Sequence, residues 1–256
     1  SHVPCIYQGI FDMDAIMELA GKYGLYVVED AAQAIDSFYT GEDGLRKPLG
    51  SIGHLATFSF HETKNLTSGE GGMLVINDLQ FVDRAEVVWE KGTNRAAFFR
   101  GEVNKYGWVD VGSSFLPSDI LAAFLWAQIE NLEDIQEKRK QHWNTYFKGL
   151  HKWAETQGVM LPQTPKFATN NAHMFYMVCK DPEQRSKLIT HLRANGIHAV
   201  FHYLSLHKSP FYHKKHDGRI LSQSDRYSDT LVRLPFYYEL EKNDLTFIVE
   251  TIKTLQ

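Results

Sequence analysis

Residues 25–30, LYVVED, constrain the fold more than any other stretch. They form a continuous apolar run closed by two acids, and an unbroken apolar strand belongs in a sheet covered on both faces. The segment ahead of it is marked at both ends. Asp12 is suited to cap a helix from Met13 to about Tyr23, with Met13, Ile16, Met17 and Ala20 on one face, and Gly24 ends it. Residues 3–7, VPCIY, read as a short strand that Gly9 breaks. Strand, helix, strand makes a βαβ unit, which calls for a parallel pair with a right-handed crossover.

Two more strands are expected, ATFSF (56–60) and GMLVIN (72–77), then a helix from Leu79 to about Lys91 capped by Asp78. This part therefore reads as doubly wound α/β with a mostly parallel sheet. Residues 91–116, with glycines at 92, 101, 107 and 112, read as a long functional loop. Ser118 is placed to cap one long helix reaching Leu150. Leu121, Phe124, Leu125, Gln128, Ile129, Leu132 and Ile135 form its helical stripe, and such a helix often links two domains. Beyond it, HMFYMVC (173–179) and IHAVFHY (197–203) read as strands. Asp181-Pro182 opens a helix that Gly196 ends, and a closing amphipathic helix spans 241–255. The expected domains are 1–149, a large domain with its linking helix, and 150–256, a smaller C-terminal α/β domain.

Composition narrows the functional classes. The chain has 256 residues, enough for a sizeable core, and a net charge of -4, which offers no bulk basic field for nucleic acid. Cys5 and Cys179 stand far apart, which suits a reducing compartment and argues against a disulfide scaffold or a thiolate zinc site. Neither His202 with His207 nor His213 with His216 has a zinc spacing with further ligands, so no metal is expected. No apolar run reaches the ~18 residues that cross a bilayer. SHVPCIYQG lacks the basic and long apolar regions of a signal peptide, so the expected place is the cytoplasm, away from membranes.

The chemistry gathers at strand ends. Ligands of parallel α/β sheets bind outside the carboxyl ends of the strands. Asp30 stands at one such end; Ser59 and Lys64 stand at the next. Singly, an aspartate after a strand is most often a cap, a lysine in a polar turn a solvated charge, and GEGG a turn. Their joint order is what points to a site: a strand and DAAQ, then FSFHETK, then SGEGG and another strand.

That order resembles the fold-type I enzymes that use pyridoxal phosphate (PLP), and among them the DegT/DnrJ/StrS family of sugar-nucleotide aminotransferases. VVEDAAQA and FSFHETKNLTSGEGG look like the family's two central motifs. FRGEVNKYGWVDVGSSFLPSDILAAFLWAQ, NAHMFY and VFHYLSLH look closest to the branch acting on dTDP-4-keto-6-deoxyhexoses for surface polysaccharide. The resemblance implies that Lys64 binds PLP and moves the proton, and that Asp30 holds the pyridine nitrogen protonated. It puts Gln33 near the phenolic oxygen, Ser59 on the phosphate, and His61 either beside the substrate face of the ring or behind it. Ser114 stands where the family commonly has an asparagine of the partner subunit. Arg95 and Arg100 are either a clamp on the nucleotide diphosphate or a solvated loop, and His202 and Tyr203 are carried over as substrate residues. A related branch replaces the lysine with histidine and dehydrates; Lys64 argues against it. The resemblance further implies a homodimer, an amino-acid donor such as glutamate, and a family N-terminal third ahead of residue 1. The rival readings are amination at C3 or of a UDP or GDP sugar, and a catalytically silent remnant acting as a binding or regulatory module.

Overall fold

In the computed structural model, which describes residues 2–4 and 11–255, helix α1 (Met13–Tyr23) begins where Asp12 accepts from the Ala15 N–H. It ends at Gly24, whose φ of 61° is the left-handed conformation that glycine adopts without strain. The next N–H, that of Leu25, reaches back to the Ala20 carbonyl at 2.8 Å. Leu25 is thus part of the helix cap. For that reason strand β2 is shorter than the apolar run, spanning Val28–Asp30, while Leu25 and Tyr26 are exposed. β1 (His2–Pro4) pairs with β2 in parallel; the rest of VPCIY, with Cys5 and Gly9, lies outside the described residues.

Strands β3 (Phe38–Thr40) and β4 (Arg46–Pro48) form a separate antiparallel hairpin. β5 (Leu55–Ser59) and β6 (Gly72–Ile76) complete the main sheet, in the order β1-β2-β5-β6. β5 runs parallel to β2, with Asp30 opposite Thr57, and β6 runs antiparallel to β5. The register of the central pair is set by Glu29. Its side chain, at 0% exposure, accepts from the N–H groups of Gly50 (2.8 Å), Ile52 (2.8 Å) and Gly53 (2.6 Å). These residues lie in the loop that leads into β5.

After β6, Asp78 accepts from the Gln80 N–H and starts a single 3₁₀ turn, which passes into α2 (Val82–Trp89). The expected long loop carries a short helix, α3 (Arg95–Phe99), and bridges pairing Glu90 with Ser114 and Thr93 with Trp108. The expected single helix from Ser118 is two. α4 (Asp119–Glu130) starts on the Ser118 cap, and α5 (Leu132–Gln157) follows. The break is at Asn131, whose side-chain amide takes the Ala127 carbonyl at 2.7 Å. Leu121, Leu125, Gln128, Leu132 and Ile135 of the expected stripe are half-buried, whereas Phe124 and Ile129 are exposed.

The chain divides into two compact units, 1–133 with 164–171, and 134–163 with 172–256. The expected boundary at 149/150 falls inside α5, whose Trp143, Tyr146, Leu150 and Ala154 are all buried in the second core. The returning segment joins the first unit beside β3: Thr40 donates to the Phe167 carbonyl at 2.7 Å and Phe38 to the Thr169 hydroxyl at 2.9 Å. In the second unit, β7 (Tyr176–Val178), β8 (Val200–Phe201) and β9 (Leu231–Arg233) form an antiparallel sheet ordered β7-β9-β8. Helices α6 (Pro182–Ala194), α7 (Ser222–Thr230) and α8 (Lys242–Lys253) complete this unit. Asp181 caps α6, with proline at its start as expected. Glu241 and Asp244 form a capping box on α8. Arg139 is buried and donates to the carbonyls of Ala172 (3.1 Å) and His173 (2.6 Å).

Glu29→Ala is expected to destabilise the protein by about 3–5 kcal/mol, because it leaves two buried N–H groups and a partly buried one without their acceptor. Chemical denaturation checks this. A loss below about 1 kcal/mol, the scale of a single ordinary hydrogen bond, would show that other groups take over those donors.

Candidate active site

Asp30 closes β2, and Ser59 closes the parallel strand beside it. Both therefore come to the same end of the sheet. The chain then leaves β5 in a closed turn. Phe60 donates to the Gly71 carbonyl (2.8 Å) and accepts from Ser68 (2.8 Å), while Glu62 donates to the Gly69 carbonyl (2.9 Å). Inside this turn the Lys64 N–H closes on the His61 carbonyl at 2.9 Å. Asn65 and Leu66, directly after the lysine, are buried and anchor it from below.

The glycines that follow are required by the closure. Gly69 has φ of 80°, and a Cβ at Gly71 would stand 2.5 Å from the Ser68 hydroxyl. The turn is also held from α4, where the Gln128 side chain accepts from the Thr67 N–H at 2.9 Å.

Two influences compete at the Lys64 amine. Burial is the larger and lowers its pKa below the ordinary lysine value; the negative charge of Asp30 pulls it back up. A half-buried amine with a carboxylate acting on it is equipped to exchange protons and to form a bond to a carbonyl carbon. Asp30 also accepts from the Ala32 N–H at 3.2 Å, which turns the chain toward Gln33.

His61 is engaged within its own turn. Its Nδ1 lies 3.0 Å from the Thr63 hydroxyl and its Nε2 3.7 Å from the Glu70 carboxylate. The Ser59 hydroxyl accepts from the His61 N–H at 3.3 Å. Gln33 is half-buried, and its carbonyl accepts from the side chain of Asn171 at 2.7 Å. Sequence reasoning missed Glu29, Gln128 and Asn171. Gln128 carried a signal, being the polar member of an apolar stripe.

The remaining expected residues lie on other elements. Ser114 is exposed, on the bridge to Glu90. Arg95 is ion-paired to Glu90 and lies over the Phe99 ring at 4.8 Å. Arg100 holds Glu86 at 2.9 Å and Glu102 at 2.8 Å. Both guanidinium groups thus have carboxylate partners, which favours a structural role in this loop. His202 and Tyr203 belong to the second unit, where their rings meet edge to face at 4.8 Å. Among the described residues no group of His, Cys, Asp and Glu is arranged to hold a metal. No described helix is long and apolar enough to cross a membrane.

A sheet with parallel strands ending in a carboxylate and a partly desolvated lysine defines the class: an α/β protein of the fold-type I aminotransferase kind. Residues 5–253 match the DegT/DnrJ/EryC1/StrS aminotransferase family, and the chain belongs to it. GDP-perosamine synthase of Escherichia coli O157:H7 is 30% identical over 251 residues, covering 96% of this chain and 63% of that protein. Spore coat polysaccharide biosynthesis protein SpsC of Bacillus subtilis is 29% identical over 254 residues, covering 95% and 63%. The crystal structure of DesV from S. venezuelae, in complex with a ketimine intermediate, superposes with a TM-score of 0.84 at 28% identity, covering 98% and 63%. The chain thus spans less than two thirds of the length of these relatives. Aminotransferases of this family use PLP.

Asp30→Asn removes the influence that raises the Lys64 pKa, so that pKa is expected to fall further. Labelling of Lys64 by an amine-reactive reagent near neutral pH, read by peptide mapping, should then rise; an unchanged pH profile would uncouple the two groups. In the second unit, burial, aided by the Arg233 guanidinium, pushes His202 from 6.5 down to about 4. The unfolded chain takes up this proton first, so stability is full above about 6.5 and is lost as pH falls toward 4. His202→Gln should flatten part of the fall in melting temperature across that window, and an identical slope would remove His202 as its source.

Proposed function

We propose that the protein carrying this chain transfers an amino group from an amino acid, L-glutamate, to C4 of a dTDP-4-keto-6-deoxyhexose, using PLP. The observation that carries the reading is the parallel β2–β5 pair, which brings Asp30 and the lowered-pKa Lys64 to one sheet end. Family membership supports the reaction class. The dTDP sugar and the C4 position rest on the resemblance of the segments around Arg100–Gln128, Asn171–Tyr176 and Val200–His207.

The residues at the site fit PLP in their chemistry. The amine of Lys64 is partly desolvated and faces a carboxylate, and hydroxyl and amide groups stand at Ser59 and Gln33. When bound, the cofactor supplies an electron sink for the carbon that gains and loses the proton. Lys64 would hold the cofactor through its amine, and the same amine, partly desolvated, would be the group that takes up and returns the proton. Asp30 keeps the pyridine nitrogen protonated, since an ionised carboxylate favours the cationic ring. Ser59 would hold the phosphate through its hydroxyl, Gln33 would stand near the phenolic oxygen, and His61 would line the substrate side. The amino acid leaves as its 2-oxo acid and the sugar carbonyl becomes an amine, so nitrogen and electrons balance over the two halves.

A homodimer is part of this proposal. On α4, Ile120 and Phe124, one turn apart, are exposed at 81% and 52%, and Trp126, on another side of the helix, at 60%, apolar surface of the kind that subunit contacts cover. The relative named GDP-perosamine synthase favours a GDP sugar as the second reading of the acceptor.

Lys64→Ala is expected to abolish amino transfer, by several orders of magnitude, because no other amine stands in this turn. Turnover of dTDP-, UDP- and GDP-linked keto sugars with glutamate, before and after the substitution, is the measurement. Residual turnover near the parent's would remove Lys64 from the chemistry, and turnover confined to GDP sugars would establish the second reading.

A further inference from the structure

The turn that carries Lys64 and the turn that follows Asp30 are joined through one asparagine. The chain returns to the first unit at 164–171 and ends that return at Asn171. The Asn171 side-chain amide donates to the carbonyls of Gln33 at 2.7 Å and Ile35 at 2.8 Å. Its own backbone carbonyl accepts from the Asn65 side chain at 2.9 Å. Asn171 is 3% exposed and Asn65 6%. Asn65 is the residue after Lys64, and Gln33 stands three residues after Asp30.

We propose that Asn171 is a positioning residue for the Lys64–Asp30 pair, holding the turn of residues 33–35 with its two donors and the Lys64 turn through its carbonyl. The assignment rests on the reading of Lys64 and Asp30 as cofactor residues. The chemistry of the position selects asparagine. Two carbonyls must be met by two N–H groups on one short uncharged side chain. Serine has one donor, ionised aspartate has none, and glutamine adds a methylene. Buried bonds of this kind hold geometry tightly, because breaking them leaves the carbonyls without partners in a medium of low dielectric. The Asn171 link therefore limits how far the amine can swing from the carboxylate and toward water.

A strut alone would stabilise the fold and do nothing for the lysine. Thr169 separates the two, since it makes an equivalent tie in the same segment, accepting from the Phe38 N–H at 2.9 Å. Asn171→Leu, Asn171→Gln and Thr169→Val are compared in the protein carrying this chain. The first measurement is the pH profile of Lys64 labelling by an amine-reactive reagent in the absence of PLP. The second is retention of PLP, trapped with borohydride and mapped to Lys64.

Burial is the larger influence on Lys64, so a loosened turn that admits water should move its profile up, toward an ordinary lysine. Asn171→Leu is expected to show that shift and to retain PLP about tenfold less well. Asn171→Gln should recover part of both. Thr169→Val should lower the melting temperature and leave both at the parent's values. A parental profile and parental retention in Asn171→Leu overturn the assignment, and so does an equal effect of Thr169→Val. If Asn171→Leu does not fold, Asn65→Ala removes the other half of the link and carries the same expectation and the same refutation. Failure of the parent protein itself to form a PLP adduct on Lys64 strikes the cofactor reading instead, while the labelling profiles still report on Asn171.

Discussion

The place where the chemistry can happen depends on one buried carboxylate. In β2 the side chains alternate, so Glu29 and Asp30 leave the strand on opposite sides. Glu29 turns inward and collects the N–H groups of Gly50, Ile52 and Gly53. That fixes the point at which the chain enters β5, and with it the pairing of Asp30 with Thr57. A slip of two residues would keep each side chain on its face but move the Lys64 turn by about 7 Å along the sheet. One of two neighbouring acids therefore builds the register, and the other faces the lysine.

The lysine turn shows how a mobile side chain is brought under control. Its anchors are mostly backbone: the closure of residues 60–71 on themselves, and the burial of Asn65 and Leu66 behind the lysine. In the run of glycines after Lys64, Gly69 is required by its left-handed backbone, and a Cβ at Gly71 would press on the Ser68 hydroxyl. The amine is left where desolvation and the Asp30 charge oppose each other. Burial is the larger of the two, so the amine gives up its proton more readily than an ordinary lysine, while the Asp30 charge limits that fall.

What was legible in the sequence was whatever a short window encodes. Asp12, Gly24, Ser118 and Asp181 each mark a helix end by local hydrogen bonding, and all four act as read. The strands carrying Asp30 and Ser59 were legible from their apolar runs, and the order of the two motifs led to the family that residues 5–253 match. Tertiary choices were not legible. β9 has three residues, too few to show a period, yet it is the central strand of the second sheet. The β3–β4 hairpin went unassigned, since its third neighbour, residues 167–169, comes from far along the chain. Leu25 is apolar enough for a strand, but its N–H is already claimed by the end of α1.

Gln128 shows what such patterns can still yield. It stands in an apolar stripe with Leu121 and Leu125 before it and Leu132 after it, all half-buried. A polar side chain at a covered position must find a partner, because an amide left unpaired there costs more than the bond it forgoes. Its partner is the Thr67 N–H, on the turn that bears Lys64. The same demand, applied to Glu29 among Val27 and Val28, points to buried N–H groups, and the Gly50–Gly53 loop supplies them. A Cβ at Gly53 would sit 3.0 Å from the Val27 carbonyl and 3.3 Å from the Glu29 side chain, which is why that loop can approach so closely. Polar residues inside apolar patterns therefore mark the ties that place the site, even where the residues they tie are distant in sequence.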